Sequence, residues 1–306
     1  MNGVIVVNKP EGFTSFDVVA VLRKISGERK IGHCGTLDPN ATGVLPILLG
    51  RAAKAQDILP NHEKSYRATF VLGKETDTLD IWGQVLREEK SSVKKSELLS
   101  VLSDFRGEIR QIPPMYSAIQ INGQRLYDLA RKGIEVEREA RKITVYSLEL
   151  QDFDEESQSG TLEVSCSKGT YIRTLIDDIA KAVGSCGCMT SLVRTSACGF
   201  ELSDAHTLDE LRSVSEQGVL SDYMLSTESL FTAYAEVTVS DAQAKRFING
   251  GALDAARIRN KPSFLVEGGI CRVKSPDGKF LGLAKYLADS NELKVFKLFS
   301  EYVDLA

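Results

Sequence analysis

Apolar and polar residues alternate along the chain in patterns that predict both strands and helices. An apolar run over 3–8 predicts a buried strand, and alternation over 66–72 predicts a half-buried one. Between them, Thr14 and Asp17 have the spacing of a capping box, and apolar residues recur at helical intervals until Gly27. The N-terminal part therefore combines strands with a capped helix.

An amphipathic helix is predicted over 172–183, directly after a strand pattern at 161–167. Residues 91–105 are typical of a surface helix. The segment 111–142 begins with prolines, contains two glycines and is unevenly patterned, which indicates a protruding arm rather than core. Three charged residues lie off the apolar face of the amphipathic helix: Arg173, Asp177 and Lys181.

The pattern changes after an acidic, linker-like stretch at 201–230. Beyond it, a short helix is predicted over 241–248, and turn residues at 276–278 predict a hairpin. The sequence thus predicts a larger domain of strands and helices over 1–230 and a small, mostly β module over 231–306. The strands of the module are predicted near 263–267, 270–274, 281–286 and 293–299.

The composition sets the class of protein. With 306 residues, 42% of them apolar and 26% charged, the chain is typical of a globular protein that can bury a large core. The apolar run at the N-terminus is too short for a signal peptide, and no stretch approaches the roughly 18 apolar residues of a membrane span. We therefore expect a cytoplasmic protein that does not bind membranes.

Metal and nucleotide chemistry have little support in the sequence. Its six cysteines include no C-x-x-C pair, only three histidines are present, and Walker or G-x-G-x-x-G loops are absent. Free thiols are the expected state of cysteine in a reducing cytosol. The sequence therefore predicts no metal site and no cofactor.

The net charge of −4 is an average over unequal segments. Residues 1–70 hold nine basic and six acidic side chains, and 110–142 hold seven and four, whereas 201–230 hold one and seven. A polyanion could bind a basic surface formed by the first two segments, while scattered surface charge accounts for these balances equally well.

The candidate reactive group is Asp38, the one acidic residue in the glycine-rich segment 32–43. Glycine permits backbone conformations that other residues avoid, and Pro39 fixes its own φ and disfavours a helix before it. Such a loop is either an ordinary turn with a solvated carboxylate or a rigid support for a reactive one. The loop by itself leaves both interpretations open.

Four separated segments resemble, in this order, the motifs of the TruB family, the bacterial tRNA pseudouridine-55 synthases. The match around Asp38 is complete over a dozen positions, and 76–83 also resembles a family segment. The resemblance covers residues 1 to about 230, and 231–306 resembles the PUA RNA-binding module at the end of such enzymes. The four segments are 9–15, 32–43, 64–67 and 167–173.

The resemblance implies the pseudouridine-synthase fold, an α+β architecture with a mixed central β-sheet flanked by helices, and an isomerase that needs no cofactor. In this reaction the bond between uracil and ribose breaks, the base rotates, and it rejoins through carbon 5. The target base must first leave its stack and enter a pocket. Asp38 corresponds to the nucleophile, which attacks either the uracil ring or the ribose carbon.

The resemblance also implies roles for residues around Asp38. Arg173 matches the arginine that pairs with the nucleophile, where a guanidinium keeps a dehydrated carboxylate ionised. Tyr66 matches the tyrosine that stacks on the flipped base, and it is a candidate for removing the proton from carbon 5. Lys9 either contacts phosphate or supports the Asp38 loop. The other matches are Tyr171 and Leu192 in the uracil pocket, His33 in displacing the target base, and Lys168 at phosphate.

The implied partner is tRNA, whose T-loop the arm 111–142 would clasp, and the expected oligomeric state is a monomer. Two other functions stay open. A guide-RNA-dependent synthase of ribosomal RNA shares the Asp38 motif, although such enzymes lack the basic arm. A tRNA-folding chaperone needs the arm and the module but not Asp38, and both activities could coexist.

Overall fold

Strands, often several in a row, are interspersed with helices along the chain, which a computed structural model describes over residues 1–258 and 265–300. The helices are α1 (Ser15–Ser26), α2 (Lys95–Val101), α3 (Leu126–Ala130), α4 (Ile172–Ala182), α5 (Leu208–Glu216) and α6 (Asp241–Ile248). The strands are β1 (Gly3–Lys9), β2 (Ile31–His33), β3 (Thr42–Leu49), β4 (Lys64–Leu72), β5 (Lys74–Thr76), β6 (Val85–Glu88), β7 (Gly107–Gln111), β8 (Gln120–Ile121), β9 (Gln124–Arg125), β10 (Arg141–Asp154), β11 (Ser159–Cys166), β12 (Gly187–Ala197), β13 (Phe200–Glu201), β14 (Ala235–Thr238), β15 (Leu253–Asp254), β16 (Ile270–Lys274), β17 (Phe280–Leu287) and β18 (Glu292–Leu298).

The central sheet has nine strands, in the order β1-β3-β12-β4-β11-β10-β7, with β2 beside β3 and β13 beside β12. The pair β3–β12 is parallel and the other pairs are antiparallel, so the predicted mixed sheet is confirmed. Strand β4 lies between β12 and β11 and buries alternate residues, as its sequence pattern predicted.

Helix α1 begins and ends where local side-chain chemistry predicted. The Thr14 hydroxyl accepts a hydrogen bond from the Asp17 backbone N–H at 3.1 Å, and the Asp17 carboxylate accepts one from the Thr14 N–H at 2.8 Å. Gly27 follows the helix with φ of 68°, a left-handed conformation that glycine adopts without steric cost. The capping box and the glycine stop are both confirmed.

Helices flank the central sheet, as predicted. Apolar residues of α4 and α2 share a core cluster with β4, β10 and β11, whereas α1 and α5 pack with β1 and β3. No helix in the described part of the chain is long and apolar enough to cross a membrane.

The acidic stretch 201–230 is not a linker, contrary to the sequence prediction. It contains α5, which buries Leu208, Leu211 and Val214 in the cluster with α1 and β1. The acidic side chains of α5 lie on its exposed side. The acidic composition of this stretch suggested a linker, because its buried apolar residues are few and are separated by polar ones.

The C-terminal module is a five-stranded sheet, β14-β16-β17-β18-β15, with α6 packed against it. The predicted helix at 241–248 and the strands near 270–274, 281–286 and 293–299 are confirmed. The strand predicted near 263–267 falls partly outside the described residues, and 265–267 form no strand. The sequence did not reveal β14 and β15, because both are short.

The module shares a hydrophobic cluster with the rest of the chain. Phe231 is fully buried, and its ring centroid lies 5.3 Å from that of Phe299. Leu283 of β17 belongs to the same cluster as Val4 of β1 and Leu48 of β3. The module is therefore joined to the larger domain by packed side chains as well as by the chain.

The arm at 111–142 contains β8, β9 and the short helix α3. Many of its side chains are exposed, whereas six residues are buried: Gln111, Pro113, Pro114, Ser117, Leu126 and Leu129. At its base, the Gln111 side chain donates to the Tyr171 carbonyl at 3.0 Å and accepts from the Tyr171 N–H at 2.8 Å. The base of the arm is thus fastened to the start of α4.

Candidate active site

The loop that carries Asp38 is supported from below by Lys9. The Lys9 ammonium donates to the carbonyls of Pro39 at 2.8 Å, Pro10 at 2.9 Å and Phe13 at 2.5 Å. Burial lowers the pKa of Lys9 to about 8, and the nearby Asp38 charge opposes that shift. Because the Lys9 side chain is fully buried, its contacts fit support of the loop and not a contact with phosphate.

Two further side chains fasten the same loop. The Ser15 hydroxyl accepts a hydrogen bond from the Leu37 N–H at 2.9 Å. Arg194, which is fully buried, donates to the carbonyls of Val44 at 2.7 Å and Gly35 at 3.1 Å. The loop therefore depends on residues from β1, α1 and β12.

Gly43 is required where the loop enters β3. Its φ is +102°, and a Cβ atom there would lie 2.2 Å from the Arg194 carbonyl oxygen. Gly43 and Arg194 are paired in the parallel β3–β12 ladder. Any side chain at position 43 would push these strands apart next to the Asp38 loop.

Arg173 holds the Asp38 carboxylate from the start of α4. Arg173 Nε lies 3.0 Å from Asp38 Oδ2, and the guanidinium also donates to the carbonyls of Thr78 at 2.8 Å and Tyr116 at 3.0 Å. The Arg173 side chain is 6% exposed and that of Asp38 is 43% exposed. Arg173 and Asp177 were predicted to lie off the buried face of the helix, and this is wrong because both are buried.

A second carboxylate, Asp80, lies on the other side of the guanidinium. Asp80 Oδ2 is 3.5 Å from Arg173 Nη1, and Asp80 Oδ1 accepts from the Thr78 hydroxyl at 2.7 Å. Burial raises the pKa of Asp80, while the Thr78 hydrogen bond and the Arg173 charge oppose the shift. Arg173 is therefore fixed between two carboxylates and two carbonyls.

Tyr66 and Leu192 belong to one buried cluster together with Leu37 of the Asp38 loop. Tyr66 lies opposite Arg194 in the β4–β12 ladder, and its side chain is buried. Burial raises the pKa of Tyr66 to about 12, so the phenol is neutral at physiological pH. The fold thus brings an aromatic ring and a leucine beside the loop of the carboxylate.

The other predicted site residues lie at the end of β2 and in the segment that leads into α4. Tyr171 immediately precedes Arg173's helix, and burial raises the pKa of its hydroxyl. His33 ends β2, and its Nδ1 is buried without a hydrogen-bond partner. Lys168 is exposed in the turn before α4. Among the described residues, no hydrogen bond or ion pair joins His33 or Lys168 directly to Asp38.

Asp80 and Arg194 are residues of this site that sequence reasoning did not assign a role. Asp80 lies in the segment 76–83, which resembles a family segment, and Arg194 follows two residues after Leu192. The available signal was a charged residue within an apolar or turn-rich segment, which indicates a specific partner when it is buried. The partner itself could not be inferred, because Arg194 binds carbonyls about 150 residues earlier in the chain.

The site places an accessible carboxylate beside a buried guanidinium. In the described part of the chain, no group of three or more His, Cys, Asp or Glu side chains could hold a metal ion. Asp38 is accessible and paired with a cation that stays charged at all physiological pH values. An accessible, ionised carboxylate in a fixed loop can attack an electrophilic carbon.

A solved structure shares this fold over nearly the whole chain. A chain of the crystal structure of a Cbf5-Nop10-Gar1 complex aligns with a TM-score of 0.77 and 26% identity, over 99% of this chain and 86% of that one. The fold is therefore that of the pseudouridine synthases. The class leaves open which member this chain resembles most.

Family models and relatives identify the branch. A model described as TruB family pseudouridylate synthase (N-terminal domain) matches residues 23–172, and one described as tRNA pseudouridylate synthase B C-terminal domain matches 173–232. The tRNA pseudouridine synthase B of Clostridium perfringens is 42% identical over 98% of this chain and 100% of its own, and that of Clostridium tetani is 42% identical over 97% and 99%. The chain belongs to the TruB family of pseudouridylate synthases.

Proposed function

We propose that the protein is a tRNA pseudouridine synthase, an isomerase that converts uridine 55 in the T-loop of tRNA to pseudouridine. The observation that carries this proposal is the 3.0 Å contact between accessible Asp38 and buried Arg173. Relatives that are 42% identical over nearly full length are named tRNA pseudouridine synthase B, which supports tRNA as the substrate.

Arg173 keeps the nucleophile ionised while RNA covers the site. A base that docks against Asp38 removes water from the carboxylate, which by itself would favour protonation. The adjacent guanidinium opposes protonation and is held by two backbone carbonyls, so it does not need to reorganise. Asp38 then attacks the flipped uridine at the uracil ring or at the ribose carbon.

Tyr66 is better suited to stacking than to proton transfer. Its raised pKa of about 12 means that the hydroxyl is a neutral phenol, which is a poor base. Its ring and the Leu192 side chain share one buried cluster beside the loop, where a flat base could pack against them. Tyr171 would complete this pocket from the start of α4.

The remaining surfaces fit a polyanionic partner. The arm at 111–142 exposes Arg125, Arg131 and Lys132. Lys168 is exposed in the turn before α4, the helix that carries Arg173. We propose that these residues contact tRNA phosphates, that His33 helps to displace the target base, and that the PUA-like module 231–306 adds RNA contacts. Action as a monomer in the cytoplasm, without metal or cofactor, stays a prediction.

The guide-RNA-dependent alternative has less support. The solved structure of a complex that contains Cbf5 is 26% identical, compared with 42% for the named tRNA enzymes. The basic arm of this chain also favours a synthase that grips its substrate without a guide. A chaperone activity would use the same arm and module and is compatible with catalysis.

Tritium release from a model substrate tests the proposal. Purified protein is incubated, without guide RNA or partner protein, with an unmodified T-arm hairpin labelled with tritium at carbon 5 of its uridines. Asp38→Asn should release no tritium while still binding the hairpin, because affinity arises from phosphate contacts. Asp57→Asn, at an exposed aspartate outside the site, is the matched control and should behave as wild type.

Each outcome separates the alternatives. Release by the wild type but not by Asp38→Asn supports the proposed reaction. A wild-type protein that binds the hairpin without releasing tritium would refute the synthase proposal and leave the chaperone. Release that requires an added guide RNA would favour the guide-dependent branch.

A further inference from the structure

The segment 76–84, which we call the Asp80 loop, is held rigidly at the edge of the candidate site. The Thr76 hydroxyl donates to the Asp80 carbonyl at 2.6 Å, and the Gly83 N–H donates to the same carbonyl at 3.2 Å. The Ile81 N–H donates to the Met189 carbonyl of β12 at 2.8 Å. The loop is therefore tied both to itself and to the central sheet.

Backbone geometry shows that this loop shape is imposed by its surroundings. Leu79 has φ of 62°, which is unusual for a bulky side chain and persists only where neighbouring contacts fix it. A Cβ atom at Gly83 would lie 2.2 Å from Thr78 Oγ1 and 2.4 Å from Asp77 Oδ1. A loop under such constraint is typical of a functional site.

This rigid loop presents a tryptophan to solvent. Trp82 is 45% exposed, and the neighbouring Ile81 is 37% exposed. Among the described residues, the Trp82 indole makes no hydrogen bond, ring stacking or cation–π contact; only its backbone N–H is used, toward Asp80. The fold therefore makes little use of this large side chain.

A series of short contacts links the backbone of Trp82 to Asp38. Its backbone N–H lies 3.3 Å from Asp80 Oδ1, Asp80 Oδ2 lies 3.5 Å from Arg173, and Arg173 lies 3.0 Å from Asp38. A base extruded toward Asp38 leaves unpaired neighbours in the RNA loop, and proteins hold such bases by stacking them on aromatic rings.

We propose that Trp82 is a substrate-binding residue that stacks on an unpaired nucleobase adjacent to the flipped uridine. This inference rests on the proposed function, because it needs an RNA loop at the Asp38 site. The backbone that carries Trp82 is already fixed by the contacts of the Asp80 loop, so no ordering of this loop opposes RNA binding.

The test uses the fact that Trp82 is the single tryptophan of the chain. Asp38→Asn protein is titrated with the unlabelled T-arm hairpin, and tryptophan fluorescence is followed under selective excitation, while filter binding measures saturation independently. Stacking predicts quenching that follows the filter-binding curve. Unchanged emission at saturating hairpin would overturn the proposal.

Variants then distinguish stacking from simple apolar contact. Trp82→Ala and Trp82→Leu should each weaken hairpin binding by about tenfold, whereas Trp82→Phe should retain most of the affinity. In steady-state tritium-release assays with otherwise wild-type protein, KM should rise for the first two variants while kcat stays close to wild type. The matched control is Tyr146→Ala, at an exposed aromatic residue of β10, with no expected change.

The outcomes separate this inference from the proposed function. Trp82→Leu that binds as tightly as wild type overturns the stacking role, even if tritium release is normal and the proposed function stands. If the hairpin does not bind the wild-type protein, both the stacking role of Trp82 and the proposed function are refuted. Quenching together with the aromatic preference supports the inference.

Discussion

At the residue scale, the Asp38 loop depends on a buried ammonium. Lys9→Met keeps the length and packing of the side chain but leaves the carbonyls of Pro39, Pro10 and Phe13 without their donor. We expect the free energy of unfolding to fall by about 3 kcal/mol, because unpaired buried polar groups are costly. Urea unfolding measures this change, and the rate of tritium release should fall as the loop loosens.

The control for this prediction is Lys168→Met, which removes an exposed ammonium. Its effect on unfolding should stay within about 0.5 kcal/mol. Equal stability of Lys9→Met and wild type would contradict the supporting role assigned to Lys9.

The raised pKa of Asp178 on α4 predicts that the free energy of unfolding depends on pH. Burial, followed by the Asp177 charge, raises its pKa from 3.8 to about 6, while Lys181 opposes the shift. Because the folded protein then binds more protons than the unfolded chain between about pH 4 and pH 6, stability falls as pH rises through that window. Asp178→Asn removes this penalty.

We therefore expect Asp178→Asn to be more stable than wild type by about 1 kcal/mol above pH 7, after allowance for solvent screening. Near pH 3 the two proteins should be equally stable, because pH 3 lies below both the reference pKa of 3.8 and the folded-state pKa of about 6, so the wild-type carboxyl is largely protonated in both states. Urea unfolding across this pH range measures the difference. A difference independent of pH would contradict the raised pKa.

Individual residues also show the limit of sequence-based prediction. Asp38 could be found because its neighbours along the chain form a motif. The burial of Arg173 and Asp177 could not be predicted in this way. Helical periodicity assigns charged residues to the exposed face of a helix and contains no information on the groups that would bind them. Arg173 is buried because acceptors from the Asp80 loop and the arm surround it.

At the scale of elements, the arm at 111–142 is expected to be mobile without RNA and ordered with it. Its base is fastened through Gln111 and Tyr116, but its outer part exposes Arg125, Arg131 and Lys132. In a limited digestion, trypsin should cleave the Asp38→Asn protein after these three residues, and a bound hairpin should slow that cleavage.

Trypsin sites outside the arm provide the internal control. Lys94 and Lys95, at the start of α2, are also exposed and should be cleaved at the same rate with and without hairpin. Equal cleavage of the arm in both conditions would count against an arm that closes on RNA.

Elements with local signals were the ones that sequence could predict. Helices α1 and α6 begin at capping boxes and end at glycine or asparagine, so their bounds depend on nearby residues alone. Helix α5 also has a capping box, but the acidic composition around it indicated a linker. The two-residue strand β15 exists only because β18 pairs with it, which no local pattern records.

At the scale of the whole molecule, the larger domain and the module should unfold together. Phe231, Phe280 and Phe299 pack together at the start and the end of the module, in a cluster that also contains residues of β1 and β3. Trp82 fluorescence, which reports on the larger domain, and far-UV circular dichroism should therefore give one coincident urea transition.

Phe231→Ala should lower the midpoint seen by both probes, at a cost of about 3–5 kcal/mol. Leu202→Ala, at a partly exposed leucine outside this cluster, serves as the control and should change the midpoint little. Two separate transitions in the wild type would show that the shared cluster does not couple the units.

The predicted boundary between 230 and 231 divides two neighbours that lie in this one cluster. The sequence distinguished the units because strand spacing and charge change there. It could not show their interface, because the cluster joins side chains whose separation along the chain exceeds 200 residues.

The dependence of the Asp38 loop on Arg194 also has a consequence for protein synthesis. A nascent chain exposes Asp38 early, but the guanidinium that holds the loop carbonyls emerges about 150 residues later. Arg194 is also the residue that pairs with Gly43 in the parallel β3–β12 ladder. A growing polypeptide therefore acquires the contacts that order the Asp38 loop only near the end of translation of the larger domain, so a fragment released earlier would lack the side chain that holds this loop.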